Sequence, residues 1–137
     1  MEKIINYLEI PAEKRDSVLE RLLSLGFCPA YGKLPTMKRE MEKTQRDKLP
    51  QFLFVFREDA LIGFLFLIAE KEHTCKAFPW WAVSNSDELH LETAIRLLEH
   101  GIQLSIKCGC PTLADRLNSN LEAQKKGLAR RPESACR

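Results

Sequence analysis

Between Phe52 and Ala69 the chain is apolar at nearly every position, and its one polar break is Arg57-Glu58-Asp59. The two apolar runs, Phe52–Phe56 and Leu61–Ala69, are rich in aromatic and branched side chains, and Gly63 lies inside the second. Short apolar runs bounded by polar turns read as buried strands. The link between them is too short to cross over to a parallel neighbour, so the two must form an antiparallel hairpin. Glu70–Thr74 is polar again, and Lys76–Val83 returns as a strand. A three-strand meander is therefore expected.

The flanks are helical in pattern. Lys3–Ile10 reads as a first strand. Pro11 then opens a helix, at a position where a missing N–H costs nothing. Val18, Leu19, Leu22 and Leu23 fall at helical spacing, and Gly26 stops the run. Thr36 can cap a second, highly charged helix to about Lys48, ended by Pro50 and read as a solvated surface helix. From Glu88 to Lys107 the residues Leu91, Ala94, Ile95, Leu98 and Ile102 share one side, Asn85 and Glu88 read as a capping box, and Gly109 closes the helix. Thr112–Leu117 reads as a short strand, which after a helical crossover would lie parallel to Lys76–Val83. Asn120–Lys126 reads as a short helix stopped by Gly127.

Composition narrows the function classes. The 137 residues suit one α/β (α+β) domain spanning 1–137, with a short tail over 128–137. A formal net charge of +2 gives no global reason to expect nucleic acid or an anionic membrane as partner. No run approaches the roughly 20 apolar residues that cross a bilayer, and the first residues lack a secretory pattern, so a cytoplasmic protein is expected. The five cysteines, at 28, 75, 108, 110 and 136, are not spaced as a disulfide framework. With the three histidines at 73, 90 and 100 they offer no zinc-knuckle spacing, so reduced thiols and no metal are expected.

The order of strand, two helices, three-strand meander, helix, strand and short helix resembles the GNAT N-acetyltransferase superfamily over nearly the whole chain. Phe52–Phe56, a turn, then Leu61-Ile62-Gly63-Phe64 is similar to that family's hairpin. Gly109-Cys110-Pro111-Thr112-Leu113, then Ser119-Asn120-Leu121-Glu122-Ala123, is similar to its strand-into-helix segment with an Asn-x-x-Ala signature. Gly127-Leu128 resembles the Gly-Phe that closes it. The resemblance implies a mixed sheet in which acyl-CoA, such as acetyl-CoA, lies between two splayed parallel strands. The pantetheine arm would pair with Trp81, Ala82 and Val83, and Asn120 would complete the cofactor-binding set. An active member would acylate a small-molecule or peptide amine.

The chain departs from that pattern at the pyrophosphate loop. There glycines normally let backbone N–H groups approach phosphate, and a helix N-terminus adds a favourable dipole. Here the Arg/Gln position is Glu88, and the two small positions are Leu91 and Thr93. Asp87, Glu88, Glu92 and Glu99 face Arg96 alone between Asp87 and His100. Carboxylates in the first turn suit the helix dipole and repel a pyrophosphate. The catalytic residues are not identified. The family's usual acid is a Tyr in the last helix, which here carries Gln124, Lys125 and Lys126, and the chain's Tyr residues are Tyr7 and Tyr31. Glu70 and His73 at the far turn of the meander could titrate usefully, although solvated turn residues look the same.

Three further expectations follow. The family's final strand pair has little sequence to form from after Gly127, so an open sheet edge invites a homodimer or a strand-donating partner. Adjacent Trp80 and Trp81 must face opposite sides of their strand. Lys125, Lys126, Arg130 and Arg131 make a basic C-terminal segment that suits either solvent or an anionic partner. Two functions remain open: a reduced or inactive N-acetyltransferase relative with a degenerate loop, and a non-catalytic binding or regulatory module on the same scaffold.

Overall fold

The computed structural model describes residues 2–24, 34–69, 77–84 and 88–130. Strand β1 (Glu2–Asn6) leads through short 3-10 turns at Tyr7–Glu9 and Ala12–Lys14 into helix α1 (Arg15–Ser24). Helix α2 (Leu34–Glu42) follows, then strands β2 (Gln51–Arg57), β3 (Ala60–Ala69) and β4 (Ala77–Val83). Helices α3 (His90–Lys107) and α4 (Pro111–Arg130) complete the order. The class is mixed α and β. The strands form one four-stranded sheet in the order β1-β2-β3-β4, with every pairing antiparallel.

The hairpin and meander form as the apolar runs require. Strand alternation divides their side chains between two faces. Phe52, Phe54, Phe64 and Phe66 pack with Tyr7, Leu19, Leu22 and Met41 on the face covered by α1 and α2. Leu53, Val55, Leu65 and Leu67 pack with Leu97, Leu98, Leu113 and Leu117 on the face covered by α3 and α4. The sheet is thus the middle of three layers. One irregularity re-phases it: the β2–β3 register shifts between Val55 and Phe56, so Ile62 is the extra residue of a bulge. Leu61 therefore joins the α1/α2 core, and its neighbour Ile62 joins the α3/α4 core.

The fork of parallel strands does not form. Thr112–Leu117 is helical, within the first turns of α4, so β4 has no parallel neighbour among the described residues. The cause is local. Gly109 takes φ +77°, Cys110 N–H donates to Ser105 C=O at 2.9 Å, and Gly109 N–H donates to Ile106 C=O at 3.0 Å. That pair of bonds is a Schellman stop for α3. Pro111 then occupies the first position of the next helix, where its fixed φ is favourable. Leu113, Ala114, Leu117 and Leu121 recur at helical spacing and are all at most 5% exposed.

Other boundaries shift for similar reasons. Strand β1 ends at Asn6, because the Asn6 side chain accepts from Leu8 N–H while Glu9 accepts from Asn6 N–H, a capping box that turns the chain. The helix expected at Pro11 begins as a 3-10 turn, and α2 ends at Glu42 rather than near Lys48. Helix α3 starts after Leu89, which offers no side-chain cap; the expected capping residue Asn85 lies outside the described residues, as does Gly26. Gly127 does not stop a helix, since α4 runs through it to Arg130.

Candidate functional site

The β4 edge is where the resemblance directs attention. Among the described residues β4 pairs with β3 alone, in the register Gly63↔Val83, Phe64↔Ala82 and Leu65↔Trp81. The bond from Ser84 N–H to Ile62 C=O, 2.7 Å, sets the phase of the ladder. Backbone groups in an antiparallel strand alternate between the two edges. Ala82 therefore bonds inward to β3, while the N–H and C=O groups of Trp81 and Val83 point to the outer edge. Of the three residues expected to meet a pantetheine arm, Ala82 has its backbone already committed. Pro79, which lacks an N–H, occupies an outward position, where no ladder bond is lost.

Gly63 allows this arrangement. A Cβ built there would lie 2.8 Å from the Ala82 carbonyl oxygen and 3.2 Å from Val83 Cγ2. The glycine expected to follow the hairpin turn thus lets β4 approach β3. The two tryptophans divide as alternation requires. Trp80 meets Phe64 and Phe66 edge-on, at centroid distances of 5.4 and 5.9 Å, on the α1/α2 face. Trp81 and Val83 pack on the α3/α4 face. Both tryptophans are half-buried.

At the start of α3 the residue aligned with a small phosphate-loop position makes internal bonds. Thr93 is fully buried. Its hydroxyl accepts from Arg57 Nη2 at 2.9 Å and donates to Glu2 Oε1 at 2.7 Å. Arg96 adds two bonds to the same carboxylate, Nε to Oε2 at 2.8 Å and Nη2 to Oε1 at 2.7 Å. Arg57 Nη2 stands 3.6 Å from Glu2 Oε1. The Arg96 hydrogen bonds hold the Glu2 carboxyl below its usual range; partial burial opposes this, and the Thr93 bond and the two guanidinium charges reinforce it. The cluster ties β1, the end of β2 and the first turns of α3 together. Thr93 as a buried partner of Glu2 was not legible in sequence, because 91 residues separate them.

Asn120 stands on α4, and its Nδ2 donates to Arg116 C=O one turn earlier, at 2.8 Å. The amide expected to serve a cofactor thus bonds its own helix. Lys125 and Lys126 are exposed near the end of α4, where cations complement the helix dipole. Glu70, His73, Asp87 and Arg131 lie outside the described residues. Among the described residues no three His, Cys, Asp or Glu side chains gather as a metal site. Cys108 and Cys110 are free and half-buried, and burial, with the nearby Asp47 charge, raises the Cys108 thiol above its ordinary pKa. No described helix is long and apolar enough to cross a membrane.

A CoA pyrophosphate needs small residues and free donors at the start of α3. Leu91 and Thr93 bring branched side chains instead, and the Thr93 hydroxyl is already bonded on both its donor and acceptor sides. These residues do not fit the group, and no chemical step follows from it. Comparison with protein-family models, with curated proteins and with solved structures finds no match to this chain.

Proposed function

We propose that this chain is a non-catalytic binding or regulatory module whose scaffold is GNAT-like through α3 and departs from that plan after it. Strand, two helices, a meander and a helix follow the order of that superfamily. The observation that carries the reading is the Glu2–Thr93 hydrogen bond, with Arg57 and Arg96 around it. It commits to folding Thr93, one of the positions at which an acyl-CoA enzyme grips phosphate. The continuous helix from Pro111 to Arg130 supports the same reading, because it takes up the stretch of sequence from which the second strand of a cofactor wedge would form.

A second reading, a weakly active acyl-CoA-dependent N-acetyltransferase, is favoured by one feature. The outward backbone groups of Trp81 and Val83 leave part of a pantetheine-binding edge available.

Calorimetry or thermal shift with acetyl-CoA and with free CoA separates the two. A ligand present at 100 times its Kd stabilises its protein by about 2.7 kcal/mol. The binding-module reading expects no saturable shift with either compound. Saturable binding of CoA that is weakened by changes at the β4 edge would overturn it in favour of the enzyme.

A further inference from the structure

At the opposite edge of the sheet from β4, a recess of about 280 Å³ opens between the second half of α3 and the junction of β1 with β2. Its base is polar and built. Asn6 Nδ2 donates to Gln51 Oε1 at 2.6 Å, and Gln51 is fully buried. Gln51 Nε2 in turn donates to the carbonyls of Gln45 and Lys48, the latter at 2.6 Å. This chain of bonds holds the loop that carries Arg46 against the start of β2. Three of the eight lining residues are apolar: Leu8 stands 37% exposed at the rim, Leu104 is half-buried, and Leu53 is buried.

Three charged or titratable side chains line the recess, and their situations differ. Glu9 is already engaged, since its Oε1 accepts from Asn6 N–H at 2.8 Å. The Arg46 guanidinium and the His100 imidazole have no hydrogen-bond or ion-pair partner among the described residues; both residues are exposed, and they line the recess from different elements, a loop and a helix. Apolar side chains beside a few polar groups that fix orientation are the usual make-up of a small-molecule site. A fork-shaped guanidinium with no partner among the described residues suits a carboxylate. At roughly 30 Å³ for each water-sized unit, the volume holds a ligand of about nine heavy atoms.

We infer that this recess binds a small carboxylate with an unbranched or lightly branched apolar chain, its head between Arg46 and His100 and its tail against Leu8 and Leu104. The site shares no residue with the β4 edge, so it stands whether or not CoA binds.

Titration of the full ¹⁵N-labelled chain with sodium octanoate tests the inference, with 1-octanol as the uncharged arm. Saturable shifts at Gln51, His100 and Leu104 are expected, with a Kd of about 1 mM, typical of so small a ligand. Arg46→Gln, an exposed loop change that leaves the core intact, should weaken octanoate about tenfold, and 1-octanol should bind the unaltered chain about tenfold more weakly than octanoate. His100→Gln gives a second, independent probe of the head-group position and should weaken octanoate in the same direction. The inference fails if shifts map elsewhere or do not saturate, if Arg46→Gln leaves the Kd unchanged, or if 1-octanol binds as well as octanoate.

Discussion

Glu2→Gln is the most informative single change, because one carboxylate joins three elements. In the native chain it accepts two bonds from Arg96 and one from Thr93, all at 2.7–2.8 Å. Its side chain is 11% exposed, so water replaces little of what is lost. A hydrogen bond to a charged group contributes about 1.5–3 kcal/mol, and breaking a well-buried pair costs about 3–5 kcal/mol. Arg96 is 48% exposed and can turn to solvent, which lowers the net cost to about 2–3 kcal/mol. For a chain of this length that corresponds to a fall in Tm of roughly 6–10 °C.

Urea unfolding followed by far-UV circular dichroism measures the change. A cycle with Arg96→Gln should return a coupling energy of about 1–2 kcal/mol. The pH dependence carries a definite sign. The folded-state pKa of Glu2 lies below its ordinary value of 4.5, so its contribution is complete above that value. It is lost as pH falls through the folded-state pKa, and there the wild-type and Glu2→Gln proteins should converge in stability. A Glu2→Gln protein within about 0.5 kcal/mol of wild type at neutral pH, or a coupling energy near zero, would refute the claim that this cluster clamps β1 to α3.

Three other changes probe the scaffold. Gly63→Ala sets a Cβ 2.8 Å from the Ala82 carbonyl, so it should displace β4 and lower stability by about 1–3 kcal/mol in urea titration. Gly127→Ala should do the reverse, raising Tm by an amount equivalent to about 0.5–1 kcal/mol, because the added Cβ meets nothing within 4 Å and the site is helix interior; a loss of stability would mean that Gly127 ends the helix after all. Leu117→Ala removes a fully buried side chain between α4 and the sheet and should cost about 2–5 kcal/mol, whereas Asn118→Ala, exposed on the other side of that helix, should change the urea midpoint little.

Much of the architecture was legible from residue order alone. Alternation between Phe52 and Ala69 dictates a hairpin with two apolar faces, and the short link at Arg57–Asp59 dictates its antiparallel sense. The same parity sends Trp80 and Trp81 to opposite cores. Helix α3 follows from its apolar stripe, and its stop at Gly109 from a residue type that accepts positive φ. The segment after Gly109 folds as a helix where a strand is expected, and its sequence carries the helical signals. Gly109 is a helix stop, Pro111 two residues on is a helix start, and Leu113, Leu117 and Leu121 have a period of four.

Residue order dictated where the strands and most of the helices lie, because alternation, turn chemistry and caps act over a few neighbouring positions. Only the folded chain decided that Glu2 meets Thr93 and Arg96, that Ala82 turns its backbone inward while Trp81 and Val83 turn theirs out, and that Asn6 and Gln51 build the base of a recess beside Arg46 and His100. Those relations depend on register and on how layers stack. Both are set by burial summed over the whole core rather than by any short stretch of residues.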